Sequence, residues 1–508
     1  MYLLGVSFGY IEIAVVLITL SYVIYKYSTR NFDYWKKRGV PYVKPLPLIG
    51  NFLDVFTFRR TIGHHLAKYY NDFETPYFGM FVMNTPHLIV KDPNIIKSIL
   101  VKDFNYFQDR NLISDEKCDG VSAKMLFMVK NPEWKLLRTK MTPVFTTGKI
   151  KSMLNLINGA ADEMVTYINK NLDKNSLEAK ELCAKYSTNV IASCAFGIDA
   201  HSFENENAEF RAVGRKMFDS HWKTAFRQTS YFVAPSLVKL LRLPFLDPSV
   251  SRFVREVFWA TIANREKTNV KRNDLIDIII KMKCQDAFGE NYKFEGDKVV
   301  AQAAQFYAAG FETVSATMSF TFYELCLQPK IQNRLRSEIK SVLSRCGELT
   351  YEALQDMKYL HMVICETLRK YPVLPFLDRL CLEDYTIPGT NFVIEKGTPV
   401  FIPMFGLHYD TKYFADPETY DPERFNDENK SKLPSYAYLP FGDGPRNCIG
   451  ERFGLLVTKL GVAKLIAKYD IEKSENTPIP INWDPKTFLL SARNGLPMKF
   501  KKTVSDAA

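Results

Sequence analysis

The chain has 508 residues, 46% of them hydrophobic and 14% aromatic, and no internal repeat or long low-complexity stretch, which excludes a disordered chain and favours one large globular unit with a deep apolar core. Its nine cysteines are odd in number and scattered, which argues against a disulfide framework and fits a reducing compartment. The formal net charge of +11 is spread along the chain without a long basic block, which argues against nucleic acid and leaves an anionic membrane or an acidic protein as partner.

Residues Tyr2 to Tyr25 are apolar except for Glu12, and Lys26, Arg30, Lys36, Lys37 and Arg38 follow at once. A stretch of about 20 apolar residues can span a bilayer. No Lys or Arg precedes it, so the charge bias holds the rest of the chain on the cytoplasmic side. We read it as a signal anchor. A cleaved secretory peptide would need a positive n-region, and a buried core helix sits poorly beside the charge cluster. Glu12 would be costly at the bilayer centre, so it marks an end of the buried part. This divides the chain into an anchor (1–25), a basic, proline-rich hinge containing Pro41, Pro45 and Pro47 (26–50), and one domain (51–508).

Runs at Tyr77 to Val82 and His87 to Val90 predict a hairpin, after which helical periodicity dominates to about residue 370. Trp134 and Arg138 lie four apart on one helical face, a spacing that a surface stack would also satisfy. From Tyr231 to Leu246, dense apolar residues are broken by Pro235 and Pro244. Such a segment is either core or a surface that dips into lipid, and two prolines leave it too short for a core helix, so we read it as membrane-facing. A helix from about Asp297 to Gln328 would be roughly 45 Å long, with Ala303, Ala304, Ala308, Ala309 and Gly310 in its middle, small enough to admit a flat cofactor, and Glu312 and Thr313 next. Alone, that pattern reads as a packing face with a threonine bonded to its own turn. Glu366 and Arg369 are one helical turn apart, ordinarily a surface pair worth a few tenths of a kcal/mol. Asp384 to Thr398 predicts strand, turn and strand, and Asn494-Gly495 predicts a hairpin between Phe488–Arg493 and Leu496–Lys501. The fold class is mainly α with a smaller β-rich region.

In Phe441-Gly-Asp-Gly-Pro-Arg-Asn-Cys-Ile-Gly450 the thiol of Cys448 lies just before a helical pattern that runs from Ile449 to Lys468. A helix N-terminus favours the thiolate, which is a metal ligand. Gly444 and Gly450 would let the backbone approach a large flat cofactor, with Phe441 packed beside it and Arg446 paired with an acidic edge. A lone cysteine is otherwise a small buried hydrophobe. Zinc would need a second Cys or His at a ligand spacing, and covalent haem attachment a Cys-x-x-Cys-His; neither is found here.

The pattern Phe-x-x-Gly-x-Arg-x-Cys-x-Gly closely resembles the haem-binding signature of the cytochrome P450 superfamily, and Ala309-Gly-Phe-Glu-Thr313 resembles its oxygen-activation motif. With Leu137-Arg-Thr-Lys-Met-Thr-Pro-Val-Phe145, the set is most similar to the clan of insect family six and vertebrate family three. The resemblance implies haem b with Cys448 as its axial thiolate. It places Arg110, Trp134, Arg138, Arg379 and Arg446 at the cofactor's acidic edge, and Ala309 and Phe441 against its ring. Thr313 would hold oxygen and a water while Glu312 links them to solvent. Glu366, Arg369 and Arg424 would form a buried network bracing the cysteine loop, and Phe107, Phe306, Leu374, Phe376 and Leu489 would line a substrate cavity. The activity implied is monooxygenation of a lipophilic small molecule at the endoplasmic reticulum membrane, with an NADPH–cytochrome reductase as electron donor and cytochrome b5 as a second candidate. A peroxide isomerase or dehydratase of the same fold, and a haem protein that only binds ligands, are the alternatives.

Overall fold

The structure is a computed structural model that describes residues 2–3, 6–7, 9–268, 272, 274–284 and 293–503. Helix α1 (Tyr10–Thr29) is 20 residues long, about 30 Å, and long and apolar enough to cross a membrane. Its large apolar side chains face outward, and Ser28 alone among its residues is buried. Glu12 lies in its first turn and accepts the Gly9 N–H at 2.6 Å, so the carboxylate that looked misplaced caps the helix start.

The segment after α1 is packed against the domain rather than standing free. Trp35 is fully buried and donates its indole N–H to the Met80 carbonyl at 3.1 Å. Asn31 donates to the Asn84 carbonyl at 3.0 Å, and Tyr34 and Arg38 both bond to the Glu395 carboxylate. The prolines that follow carry the chain in extended form, with Tyr42 bridging to Gly79 and Gly50 to Val82.

That segment lies along a four-stranded sheet of β1 (Tyr77–Val82), β2 (Thr85–Val90), β3 (Leu377–Leu380) and β4 (Pro399–Ile402), in the order β1-β2-β4-β3. The predicted hairpin is the β1/β2 pair, with Tyr77 opposite Val90. β2 and β4 run parallel and β4 pairs antiparallel with β3, so Arg379 stands opposite Val400. A smaller sheet joins β5 (Tyr469–Lys473) to β6 (Pro497–Lys502), and β6 to Leu177–Glu178. The hairpin expected at Asn494-Gly495 does not form. Glu178 accepts the Leu496 N–H at 2.8 Å and draws the chain onward, so β6 pairs with distant strands and residues 488–493 contribute only the Ala492 bridge to Trp483.

Apart from the strand pair expected within Asp384 to Thr398, where Tyr385–Thr386 runs antiparallel to Val393–Ile394, helices form most of the rest of the domain. The long helix α6 (Asp297–Leu327) has 31 residues and is buried along most of its length, and its partner α3 (Ala179–Ile191) is enclosed from Leu182 to its end. Gly310 is needed for that contact: a Cβ there would lie 2.2 Å from Ile191 Cδ1. The small residue expected to admit a cofactor therefore admits another helix. Between them in sequence, α4 (Trp222–Val233) and α5 (Pro235–Leu241) carry the segment read as membrane-facing. Tyr231, Phe232, Val233, Val238, Phe245 and Leu246 are buried core residues, which overturns that reading for most of the segment; of its large apolar residues only Leu240 and Leu241, 77% and 51% exposed, point outward. Pro235 opens a new helix at a position where proline is tolerated, so the break redirects the chain without expelling it.

Candidate active site

The cysteine loop precedes helix α8 (Glu451–Lys468), and the Cys448 N–H donates to the Phe441 carbonyl at 2.8 Å. Gly444 adopts φ +73°, and a Cβ on it would fall 2.0 Å from the Leu100 carbonyl oxygen; it serves a backbone crossing, not a ligand. The Cys448 side chain is accessible although protein surrounds it. Burial pushes its thiol up, against the opposing pull of the Gly450 N–H and of Arg138 and Arg110. A metal cation bound to the sulfur would favour the thiolate against that burial.

Arg138 lies on α2 (Glu133–Met141) and grips the loop from outside, its two Nη atoms donating at 2.7 Å to the carbonyl and side-chain oxygens of Asn447. Trp134, one turn earlier, lies under the Arg446 guanidinium, 4.3 Å from its ring centroid. Arg446 donates to the Val129 carbonyl at 2.8 Å and to Asp109 at 3.2 Å, Arg110 pairs with Asp378 at 2.9 Å, and Arg379 donates to the Asp378 carbonyl at 2.7 Å. Lys130 reaches the Arg110 carbonyl. Burial first, then the Arg110 charge, pushes Arg379 and Arg446 down to about 9, and burial takes Lys130 to about 8.

Four cations thus share two carboxylates, Asp109 and Asp378, and among the described residues the Nε atoms of Arg379 and Arg446 have no hydrogen-bond partner. Two further carboxylates would balance the cluster and give those donors acceptors. One accessible thiol beside such a cluster fits a metal-bearing cofactor with acidic side arms. It does not fit an ion held by several protein ligands: no group of three His, Cys, Asp or Glu gathers to hold one among the described residues.

Above the loop, α6 turns an open face. Ala309 is exposed, and Phe306, Gly310 and Thr313, at helical spacing around it, are half-exposed. Phe306 stacks on Phe145 with centroids 5.1 Å apart, and both line a cavity with Phe453 of the first turn of α8. The Thr313 hydroxyl donates to the Ala309 carbonyl at 2.6 Å, the own-turn bond of the plainer reading, yet its oxygen keeps its acceptor capacity. Glu312 points elsewhere. It is buried, ion-paired with Lys180 at 3.0 Å, and lines a small cavity with Phe218, Gln228, Thr487, Phe488 and Leu489.

Beneath, α7 (Lys358–Lys370) braces the loop. Arg369 binds Glu366 through two bonds of 2.7 and 2.8 Å, Arg424 approaches the same carboxylate at 3.4 Å, and the Asp421 N–H donates to it at 2.9 Å. Burial pushes the Glu366 carboxyl up and the Arg369 guanidinium opposes it. His408 joins this network to the loop: its Nε2 accepts the Leu439 N–H at 3.2 Å, which leaves Nδ1–H to donate to the Arg369 carbonyl at 3.1 Å.

The family model "Cytochrome P450" matches residues 40–497. The chain belongs to the cytochrome P450 family. Among its relatives, "Cytochrome P450 6k1" of Blattella germanica is 43% identical over 97% of this chain and 98% of its own length. "Cytochrome P450 6j1" of the same insect is 40% identical over 98% and 99%, and "Probable cytochrome P450 6g2" of Drosophila melanogaster 38% identical over 92% and 94%. Insect family six is therefore the correct branch, the enzyme is a P450 monooxygenase, and its cofactor is the haem that P450 proteins hold through a cysteine thiolate.

Of the residues expected to line a P450 substrate cavity, Phe306 and half-buried Leu374 lie on open space or at the junction of two core clusters, and Leu489 lines the small cavity beside Glu312. Phe376 is enclosed, its ring 5.3 Å from Phe232, which in turn lies 5.0 Å from Phe488. Phe107 is fully buried in a second core cluster, edge-on to Tyr385 at 5.0 Å. Sequence reasoning missed Lys180, His408, Phe232 and Phe488. Phe232 could have been found by treating Tyr231–Leu246 as core; Lys180 stands in no motif.

Proposed function

We propose that this P450 inserts one atom of O2 into lipophilic small molecules, xenobiotic or endogenous, with electrons from NADPH delivered by a flavoprotein NADPH–cytochrome reductase and cytochrome b5 as a second donor. The observation that carries the reading is the face of α6, where Ala309 leaves room and Thr313 presents an acceptor oxygen, with the carboxylic acid Glu312 preceding it in the chain and turned to the other side of the helix. A peroxide isomerase or dehydratase needs no such proton-handling pair. We assign Cys448 as the residue that would ligate the haem iron as thiolate and Arg110, Arg379 and Arg446, with Trp134 under Arg446, as those that would bind the cofactor's two carboxylates; Arg138 holds Asn447 in place beside the sulfur. Ala309 and Phe441 would pack against the haem. When bound, the haem supplies the iron at which O2 is reduced.

The protein's own residues then order water and protons. Because the Thr313 proton is committed to the Ala309 carbonyl, its oxygen is left to accept a hydrogen bond from a water, and Glu312, paired with Lys180 on the far side, would link such a water to the exterior only through further waters. Glu366, Arg369 and Arg424 fix the loop that aims the sulfur. Phe306, Leu374 and Leu489 contact substrate, with Phe376 supporting them from behind. Residues 1–25 with the rest of α1 form an endoplasmic reticulum anchor, residues 26–50 a linking segment seated on the domain, and 51–508 the catalytic domain on the cytoplasmic face.

The test is reconstitution with reductase, NADPH and a library of lipophilic compounds. Product should form with NADPH consumption, and the reduced protein under carbon monoxide should show the red-shifted Soret band of a thiolate haem, lost in Cys448→His. NADPH-independent conversion of a peroxide, or an unchanged band in the variant, would overturn the assignment.

A further inference from the structure

Helix Ile62–Tyr70 backs the segment that carries Leu374, and it does so through a glycine. Gly63 is buried, and a Cβ on it would fall 2.3 Å from Pro375 Cβ and 2.6 Å from Pro375 Cγ. The helix is fixed at both ends. The Thr61 hydroxyl accepts the His64 N–H at 3.1 Å; Tyr70 donates to Asp410 at 2.8 Å, and its ring lies where a Cβ on Gly406 would come within 2.6 Å. His64 also packs against Phe405 and Trp483, with centroids 4.5 and 5.4 Å away. Pro375 cannot swing aside, because its ring is closed on its own backbone. Its carbonyl accepts the Phe405 N–H at 3.1 Å, and the Val373 carbonyl accepts the Leu490 N–H at 2.8 Å. Phe376 follows, its ring 5.3 Å from Phe232. Residues 373–376 are therefore clasped between the helix on one side and Leu490 with Phe232 on the other.

We propose that Gly63 is a specificity-determining position for the bound lipophile: by carrying no side chain it lets Pro375 rest against the helix, and so sets how far Leu374, with Phe376 behind it, stands into the substrate cavity. This rests on the assignment of Leu374 to substrate contact above. A methyl at position 63 has to be accommodated by the 373–376 backbone, since the helix is held from both ends. That backbone moves away from the helix, toward Phe232 and the 488–490 segment, and the cavity narrows for bulky ligands while a ligand too small to reach the wall is unaffected. Alanine is favoured over glycine inside a helix, so the effect belongs to the contact and not to the local backbone.

The experiment titrates wild type, Gly63→Ala, Pro375→Gly and the double variant, all haem-loaded, with imidazole, 4-phenylimidazole and clotrimazole, reading dissociation constants from the shift of the Soret band. Gly63→Ala should keep the carbon monoxide band and the affinity for imidazole, and lose affinity for clotrimazole roughly tenfold, the low end of what one misplaced methylene costs in an apolar pocket. Removing the proline ring makes room for the methyl, so the double variant should recover most of that loss, and the two substitutions should be non-additive. Pro375→Gly alone lets the wall sink toward the helix and should bind clotrimazole at least as tightly as wild type, an arm that stands even if Gly63→Ala fails to accumulate. Unchanged clotrimazole affinity in Gly63→Ala, equal weakening of all three ligands, additivity in the double variant, or weaker clotrimazole binding to Pro375→Gly would overturn the proposal and leave Gly63 a packing residue. A wild type that takes imidazole but neither larger ligand would instead sink the assignment of Leu374 to an apolar cavity, and this inference with it.

Discussion

The Thr313 hydroxyl has one proton, and the structure commits it to the Ala309 carbonyl at 2.6 Å, so the residue can serve reduced oxygen only by accepting. Thr313→Ala removes that acceptor while suiting a helix interior, since alanine is the strongest helix former. Its variant should bind haem and consume NADPH normally, lose most product per NADPH and release peroxide, whereas Thr313→Ser should stay close to wild type; equal coupling in wild type and Thr313→Ala would reduce the threonine to helix packing. Arg379→Leu removes one unpaired buried donor of the cationic cluster, so haem per protein should drop and the gain in melting temperature on haem addition should shrink. Residues such as Cys448 and Thr313 were legible because their chemistry needs fixed types at fixed spacing. The glycines were legible as close approaches but not as to what approaches: Gly444 meets the Leu100 carbonyl and Gly310 meets Ile191, and a sequence does not say whether the neighbour is protein or ligand. Lys180 was invisible because its partner lies on another helix.

Helix α7 and the cysteine loop are coupled through two buried connections that respond differently to mutation and to acid. Glu366→Ala leaves the guanidiniums of Arg369 and Arg424 without their carboxylate and should cost about 3–5 kcal/mol in urea unfolding. His408 is pushed down to about 3, by burial first and by the nearby Arg369 charge second. Its folded value lies below the ordinary 6.5, so the unfolded chain binds the extra proton first; the stability it contributes is complete above about 6.5 and is lost as pH falls toward 3. Protonation also takes the acceptor away from the Leu439 N–H, so the loop should loosen with the helix. His408→Gln, which cannot charge, should flatten the pH dependence of unfolding over that interval, and an unchanged slope would remove His408 from the acid response. Element by element, helices with clear periodicity and the β1/β2 hairpin were readable, because their partners are local. The Asn494-Gly495 hairpin and the Tyr231–Leu246 segment were not, because distant strands and an aromatic cluster decided them.

The whole molecule carries an excess of 11 positive charges, and Lys135 is exposed on α2, the helix whose Arg138 grips the loop. An acidic flavin domain should therefore be steered to that face, and electron transfer should slow as salt shortens the Debye length below about 8 Å. Lys135→Glu with Lys140→Glu should slow reduction several-fold and flatten its salt dependence, while carbon monoxide binding to chemically reduced enzyme stays normal. An unaltered salt slope would point to another face.

Trp35 also decides where the polypeptide can be shortened for recombinant production. A soluble form that starts at Asn31 keeps the indole in its socket against Met80 and the two bonds to Glu395, so its melting temperature should stay near that of the detergent-extracted full-length protein. A form that starts at Asn51 discards a fully enclosed tryptophan, a loss that in cores costs about 3–5 kcal/mol, and should melt far lower or fail to accumulate. The stem that follows α1 is thereby part of the folded body, set into it like a mast into a keel, and the body cannot swivel freely on that helix.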